Sequence, residues 1–125
     1  MTLLHINMNF DLIGDIHGHA DKLEEILSIM GYVKKDGIYQ HPEQRTLVFL
    51  GDYIDRGPKI RETLHIVKSM CDAGHALAIM GNHEFNAICF HTKDTQHGGF
   101  YRKHTVVEID QHIETLRQFR NHTNE

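Results

Sequence analysis

Three times along the chain a short apolar run gives way to a polar loop and then to helical sequence. Phe10 to Ile13 is strand-sized and ends at Gly14, and from Ala20 to Met30 the residues Leu23, Ile26, Leu27 and Met30 share one helical face. Asp36-Gly37 then stands between Tyr32-Val33 and Ile38-Tyr39, a turn dipeptide with β-prone flanks that predicts a small hairpin. Thr46 to Leu50 is a nearly continuous apolar strand, Gly51 to Pro58 is polar, and Ile60, Leu64, Val67 and Cys71 recur at helical spacing. Gly74 closes that helix, and Ala76 to Met80 predicts a third buried strand. Gly81 opens a third polar loop ahead of a short helical stretch near Phe85 to Phe90. Such alternation implies βαβ crossovers and a largely parallel sheet, so all three loops leave from one carboxyl edge, where open α/β sheets bind ligands.

Beyond Phe90 the pattern changes. His91 to Lys103 is polar with Gly98-Gly99, an exposed loop or insertion, and Ile109, Ile113, Leu116 and Phe119 predict one last amphipathic helix before a frayed end at Asn121 to Glu125. The chain therefore divides into residues 1–90, carrying the three loops, and residues 91–125, a polar loop and helix expected to act as a lid or cap.

Composition narrows the partners. In 125 residues, 13 Lys and Arg stand against 17 Asp and Glu for a net charge of −4, and no basic stripe is present to track a nucleic-acid backbone. No constitutive nucleic-acid partner is expected. Apolar runs are far short of the roughly 20 residues that span a bilayer, so no membrane partner is expected; Met1 to Asp11 lacks the pattern of a secretory signal, and the expected compartment is the cytoplasm. Cys71 and Cys89 lack paired spacing and read as reduced thiols. Of the 12 histidines, only those in motifs count as ligand candidates.

The loops read Gly14-Asp15-Ile16-His17-Gly18, Gly51-Asp52-Tyr53-Ile54-Asp55-Arg56-Gly57 and Gly81-Asn82-His83-Glu84. A glycine at each strand end lets the backbone turn so that the next side chain enters the crevice, which makes Asp15, Asp52 and Asn82 converge. Carboxylate, amide oxygen and imidazole suit manganese, iron, zinc or magnesium, and without thiolates the site is catalytic rather than a structural zinc. Asp55 is placed to hydrogen-bond His83 and favour its imidazolium form, and Arg56 presents a planar fork suited to two phosphate oxygens.

The three loops resemble the N-terminal signatures of the calcineurin-like metallophosphoesterases. Asp-Arg-Gly in the second and Asn-His-Glu in the third look most like the branch of serine/threonine phosphoprotein phosphatases and symmetrical bis(5'-nucleosyl)-tetraphosphatases. The resemblance covers roughly residues 10 to 90. It implies an αββα sandwich and two divalent metal ions, manganese first among the four. Asp15 and His17 would bind the first metal, Asp52 would bridge, Asn82 would bind the second, and His83 would be the catalytic acid. Arg56 would hold phosphate. Glu84 is left outside the catalytic set as a residue that orients the loop or starts the helix, and His19 is read as a cap or rim residue. His91, His97, His104, His112 and His122 are read as solvated.

The family completes its second metal with two later histidines, each delivered by its own strand, and no such strand follows Met80. The second sheet of the sandwich is missing as well. The expectation is the N-terminal part of a truncated or split phosphoesterase, acting on a phosphoprotein, a nucleotide or a small phosphoester. The competing expectation is a non-catalytic, metal-binding interaction module that self-associates through an exposed sheet edge. A nuclease is disfavoured by the acidic balance and by the Asp55-Arg56 pair.

Overall fold

The structure, a computed structural model, describes residues 9–122 and residue 124. Its strands and helices run β1 (Phe10–Ile13), α1 (Ala20–Ile29), β2 (Val33–Lys35), β3 (Ile38–Gln40), β4 (Thr46–Phe49), α2 (Ile60–Asp72), β5 (Ala76–Ala78), α3 (Asn82–His91) and α4 (Val106–Phe119). Strands β1, β4 and β5 form a parallel sheet in the order β1-β4-β5, so the chain adds each new strand on the same side and all three point their carboxyl ends one way. The mixed α/β architecture matches the expected N-terminal half of a metallophosphoesterase. Asp36 and Gly37 both adopt positive φ, 52° and 80°, as a tight hairpin between β2 and β3 demands.

Alternation along the strands sorts the side chains into two faces. Leu47 and Phe49 of β4 point toward the helices and are fully buried, and they pack in one cluster with Leu23 and Leu27 of α1 and Ile60, Val67 and Met70 of α2. Each such burial contributes about 2 kcal/mol relative to exposure. The opposite face is open: Leu12, Val48 and Leu77 lie in register across the three strands, with Leu12 62% and Leu77 56% exposed. This corrects the expectation of a buried third strand, because of its residues only Ala76 is buried and Ile79 and Met80 are exposed with Leu77. A continuous apolar run cannot reveal whether both faces are covered. Ile26 departs likewise: it sits at the edge of the α1 stripe and is exposed.

The polar segment 92–105 is folded back onto α3. His104 stacks between Phe90 and Phe100, at centroid separations of 3.9 and 4.2 Å, and its Nε2–H donates to the Phe90 carbonyl at 2.7 Å. Helix α4 then returns to α2 and the loop before it: Gln118 Oε1 accepts the Ile60 N–H at 2.6 Å and its Nε2 donates to the Gly57 carbonyl at 2.9 Å. Thus α4 supplies partners to the first turn of α2, whose N–H groups lack intrahelical acceptors. Among the described residues no helix is long and apolar enough to cross a membrane.

Candidate metal centre

Each strand of the parallel sheet ends in a chain reversal that delivers signature residues. Asp15 and His17 follow β1, Asp52, Asp55 and Arg56 follow β4, and Asn82 and His83 open α3 just beyond β5. Of the seven non-glycine residues with positive φ among those described, five are Asp15, His17, Asp52, Asp55 and Arg56. Left-handed backbone costs such residues on the order of 1 kcal/mol each, so the surroundings must impose it, and it gathers where side chains are aimed rather than packed.

What imposes it is direct contact between loops. The His17 N–H donates to the Asp52 carbonyl at 2.9 Å and the Gly18 N–H to the Tyr53 carbonyl at 2.8 Å, which zips the first loop to the second. Gly57 is required at this crossing, since a Cβ there would lie 2.1 Å from the His17 carbonyl oxygen. Tyr53 braces the second loop from beneath: its hydroxyl accepts the Gly51 N–H at 3.1 Å and donates to the Ile79 carbonyl at 2.7 Å, and burial pushes the phenol up to about 12. The Glu84 carboxylate ties the second loop to the third, accepting N–H groups from Asp52 (2.8 Å), Tyr53 (2.7 Å) and Gly81 (2.9 Å).

The loops bring Asp15, His17 and Asp52 together, each offering a ligand atom within 4.8 Å of the others. His17 is buried and donates through Nδ1–H to the Ile54 carbonyl at 2.8 Å. Its ring is thus oriented through Nδ1 by a backbone partner, as metal-binding imidazoles are, which leaves Nε2 as the candidate ligand atom. The Asn82 amide lies beside Asp52, 3.2 Å from both of its carboxylate oxygens. Two carboxylates, an imidazole and an amide fit a divalent cation of the manganese, iron, zinc or magnesium kind.

His83 stands over this cluster, its ring 4.6 Å from that of His17 and tilted 75° to it. Its Nδ1–H donates to Asp55 Oδ2 at 2.7 Å. Asp55 is only 4% exposed, and burial works to raise its carboxyl, but hydrogen bonds from His112, His83 and Thr115 outweigh that and hold it below the usual carboxylate range. Arg56 is exposed and, with Asp55, Asn82 and His83, lines a cavity of about 370 Å3 between α3 and α4. A larger groove of about 910 Å3, between the hairpin, α1 and α2, contains none of the signature residues.

One expectation is met and one corrected. Glu84 joins loops through its carboxylate, a role visible in sequence as an acidic residue three positions past Gly81, where a capping carboxylate belongs. His112, read as solvated, is 6% exposed and donates through Nδ1–H to Asp55 Oδ1 at 2.6 Å, while His91 approaches it at 3.2 Å. Its signal was the polar row His112, Thr115 and Gln118 at three-residue spacing on α4.

The fold and site together define an α/β protein with a candidate metal site at the carboxyl edge of its parallel sheet. The chain belongs to the calcineurin-like phosphoesterases, whose family profile matches residues 8–122. That family works through a dinuclear metal centre. Similar proteins include the asymmetrical bis(5'-nucleosyl)-tetraphosphatase PrpE of Halalkalibacterium halodurans, 36% identical over 90% of this chain and 48% of the relative. The enzymes of the same name from Oceanobacillus iheyensis and Bacillus subtilis are 43% and 41% identical, over 61% of this chain and 30% and 31% of theirs. These relatives carry the asymmetrical name, whereas the signatures pointed to the branch holding the symmetrical enzymes. The chain spans about half or less of the length of these curated relatives.

Proposed function

We propose that this chain carries the N-terminal metal site of a metal-dependent hydrolase that cleaves phosphate esters or phosphoanhydrides, with nucleoside polyphosphates as the favoured substrate class. The observation that carries it is the meeting of Asp15, His17 and Asp52 beneath the His83–Asp55 pair. The names of the relatives supply the substrate class. Asp15 and His17 hold the first cation, Asp52 bridges, and Asn82 reaches the second; manganese is the preferred ion and the cytoplasm the compartment. When bound, the cations neutralise charge on the phosphoryl oxygens and lower the pKa of the attacking water.

The chain's own residues do the rest. His83 presents Nε2 to the leaving oxygen and donates a proton to it, while Asp55 holds the ring by Nδ1 and stabilises its charged form. Arg56, in the same cavity, takes phosphate oxygens. The direct test incubates the chain with manganese and a dinucleoside tetraphosphate and separates the products by chromatography. Turnover that His83→Ala lowers at least about a hundredfold supports the proposal; absence of turnover on this substrate and on p-nitrophenyl phosphate overturns it.

A second reading rests on the open sheet face. The in-register row of Leu12, Val48 and Leu77 and the outer edges of β1 and β5, unpaired among the described residues, suit a metal-binding module that works only when paired with a second polypeptide or a second copy. Self-association by sedimentation, without turnover, is its sign.

A further inference from the structure

We propose that His112 of α4 is a positioning residue for the His83 acid, acting through Asp55, so that the C-terminal helix is part of the machinery of proton donation. The inference rests on the phosphoesterase proposal above and extends it to a residue outside the three signature loops.

Geometry carries it. Asp55 Oδ2 takes the His83 Nδ1–H, and Oδ1 takes both the His112 Nδ1–H at 2.6 Å and the Thr115 Oγ1–H at 2.7 Å. An ionised carboxylate only accepts, so both imidazoles must carry their proton on Nδ1. Thr115 Oγ1 in turn accepts the Asp55 N–H at 3.0 Å, fixing the backbone of the same residue. With Oδ1 saturated from α4, the carboxylate cannot rotate without breaking two hydrogen bonds, and Oδ2 is left facing His83. The His83 ring is then held by Nδ1 beside His17, with ring centroids 4.6 Å apart.

The relay continues one step. His112 Nε2 lies 3.2 Å from His91 Nε2, a contact in which one of the two rings must present an unprotonated nitrogen. Desolvation, then the charges of His112 and His104, holds His91 below the usual histidine range, in the neutral form this requires. Phe90 packs against His112 at 5.3 Å, closing the apolar side of the ring. The Nδ1–H groups of His83 and His112 thus meet on the one carboxylate of Asp55.

The test uses the full chain with histidine 15N-labelled and magnesium bound, since magnesium is diamagnetic. Imidazole nitrogen shifts are expected to place both His83 and His112 in the Nδ1-protonated tautomer, each with a slowly exchanging Nδ1 proton. His112 protonated on Nε2 alone overturns the proposal without any variant. His112→Phe, which keeps a ring and removes the donor, is expected to speed exchange of the His83 Nδ1 proton by about tenfold, and His112→Asn, which keeps an N–H, to restore it. An unchanged His83 proton in a folded His112→Phe protein also overturns it. Turnover adds a second readout: His112→Phe should lower kcat about tenfold more on phenyl phosphate than on 2,4-dinitrophenyl phosphate, with KM unchanged, because only the poor leaving group needs the acid. Equal losses on both esters contradict the role. If the unaltered chain turns over neither ester, the hydrolase proposal fails, while the tautomers and proton exchange still decide whether His112 positions His83.

Discussion

The Glu84 carboxylate accepts the Asp52 backbone N–H at 2.8 Å while Asp52 Oδ1 accepts the His83 N–H at 3.1 Å, so the first turn of α3 holds the central aspartate by both main chain and side chain. The Glu84 carboxylate also receives the Tyr53 and Gly81 N–H groups. Glu84→Ala strands these partly buried donors and is expected to cost about 2 kcal/mol, read as a lower urea midpoint with unchanged slope. Glu84→Gln should recover only part of the loss, because an amide offers one acceptor oxygen in place of two. A loss below about 0.5 kcal/mol for Glu84→Ala would mean that water replaces the carboxylate freely.

At Gly81 the constraint is space. Its φ of −88° suits any residue, but a Cβ there would stand 2.3 Å from Asp52 Oδ1 and 2.4 Å from the Asp52 nitrogen. Gly81→Ala must therefore displace the aspartate, and manganese affinity measured by calorimetry should fall at least about tenfold. Gly98→Ala is the control: open space surrounds it, and its positive φ of 79° costs stability but leaves the affinity unchanged.

Acid stability should trace to Asp11 as well as to Asp55. Hydrogen bonding from Arg45 holds the Asp11 carboxyl below its ordinary range, burial opposes this, and the bond from Tyr32 adds to it. A lowered folded-state pKa stabilises the protein fully above the unfolded value of about 3.9 and ceases to do so as pH falls through the lowered one. Asp11→Asn should thus cost about 1 kcal/mol at neutral pH and flatten the decline of Tm below about pH 4. A parallel decline in the variant would assign the acid limb elsewhere.

Much of the site was legible because its chemistry is local in sequence. Asp15 with His17 and Asp52 with Asp55 each lie within one loop, Asn82 with His83 open one helix, and alternation of strands with helices sends all three segments to one edge. The hairpin followed from Asp36-Gly37 for the same reason. What escaped was long-range: the His112 to Asp55 bond spans 57 positions, and a histidine on a polar helix face gives no sign of the acceptor that will bury it. Leu12 and Leu77 escaped for the opposite reason. Their hydrophobicity says they suit burial, while exposure depends on what packs against the sheet. Glu84 lay between these cases: its position allowed loop orientation or a helix start, and its bonds to the Asp52, Tyr53 and Gly81 N–H groups serve both.

Metal binding should be coupled to folding. Asp15 and Asp52 bring two carboxylates to one position, held by loops whose left-handed backbone is costly, so a cation offsets both charge repulsion and strain. Manganese at about one hundred times its dissociation constant is expected to stabilise the chain by about 2.7 kcal/mol, with a corresponding rise in Tm that excess chelator reverses. His17→Ala should abolish most of that rise, since it removes the proposed ligand that the Nδ1 bond to the Ile54 carbonyl orients. Asn82→Ala should leave most of it, because the Asp15, His17 and Asp52 set remains whole. Equal loss of the rise in both variants would show that the amide contributes as much to the ion as the imidazole does, and the division between a first and a second cation would have to be redrawn.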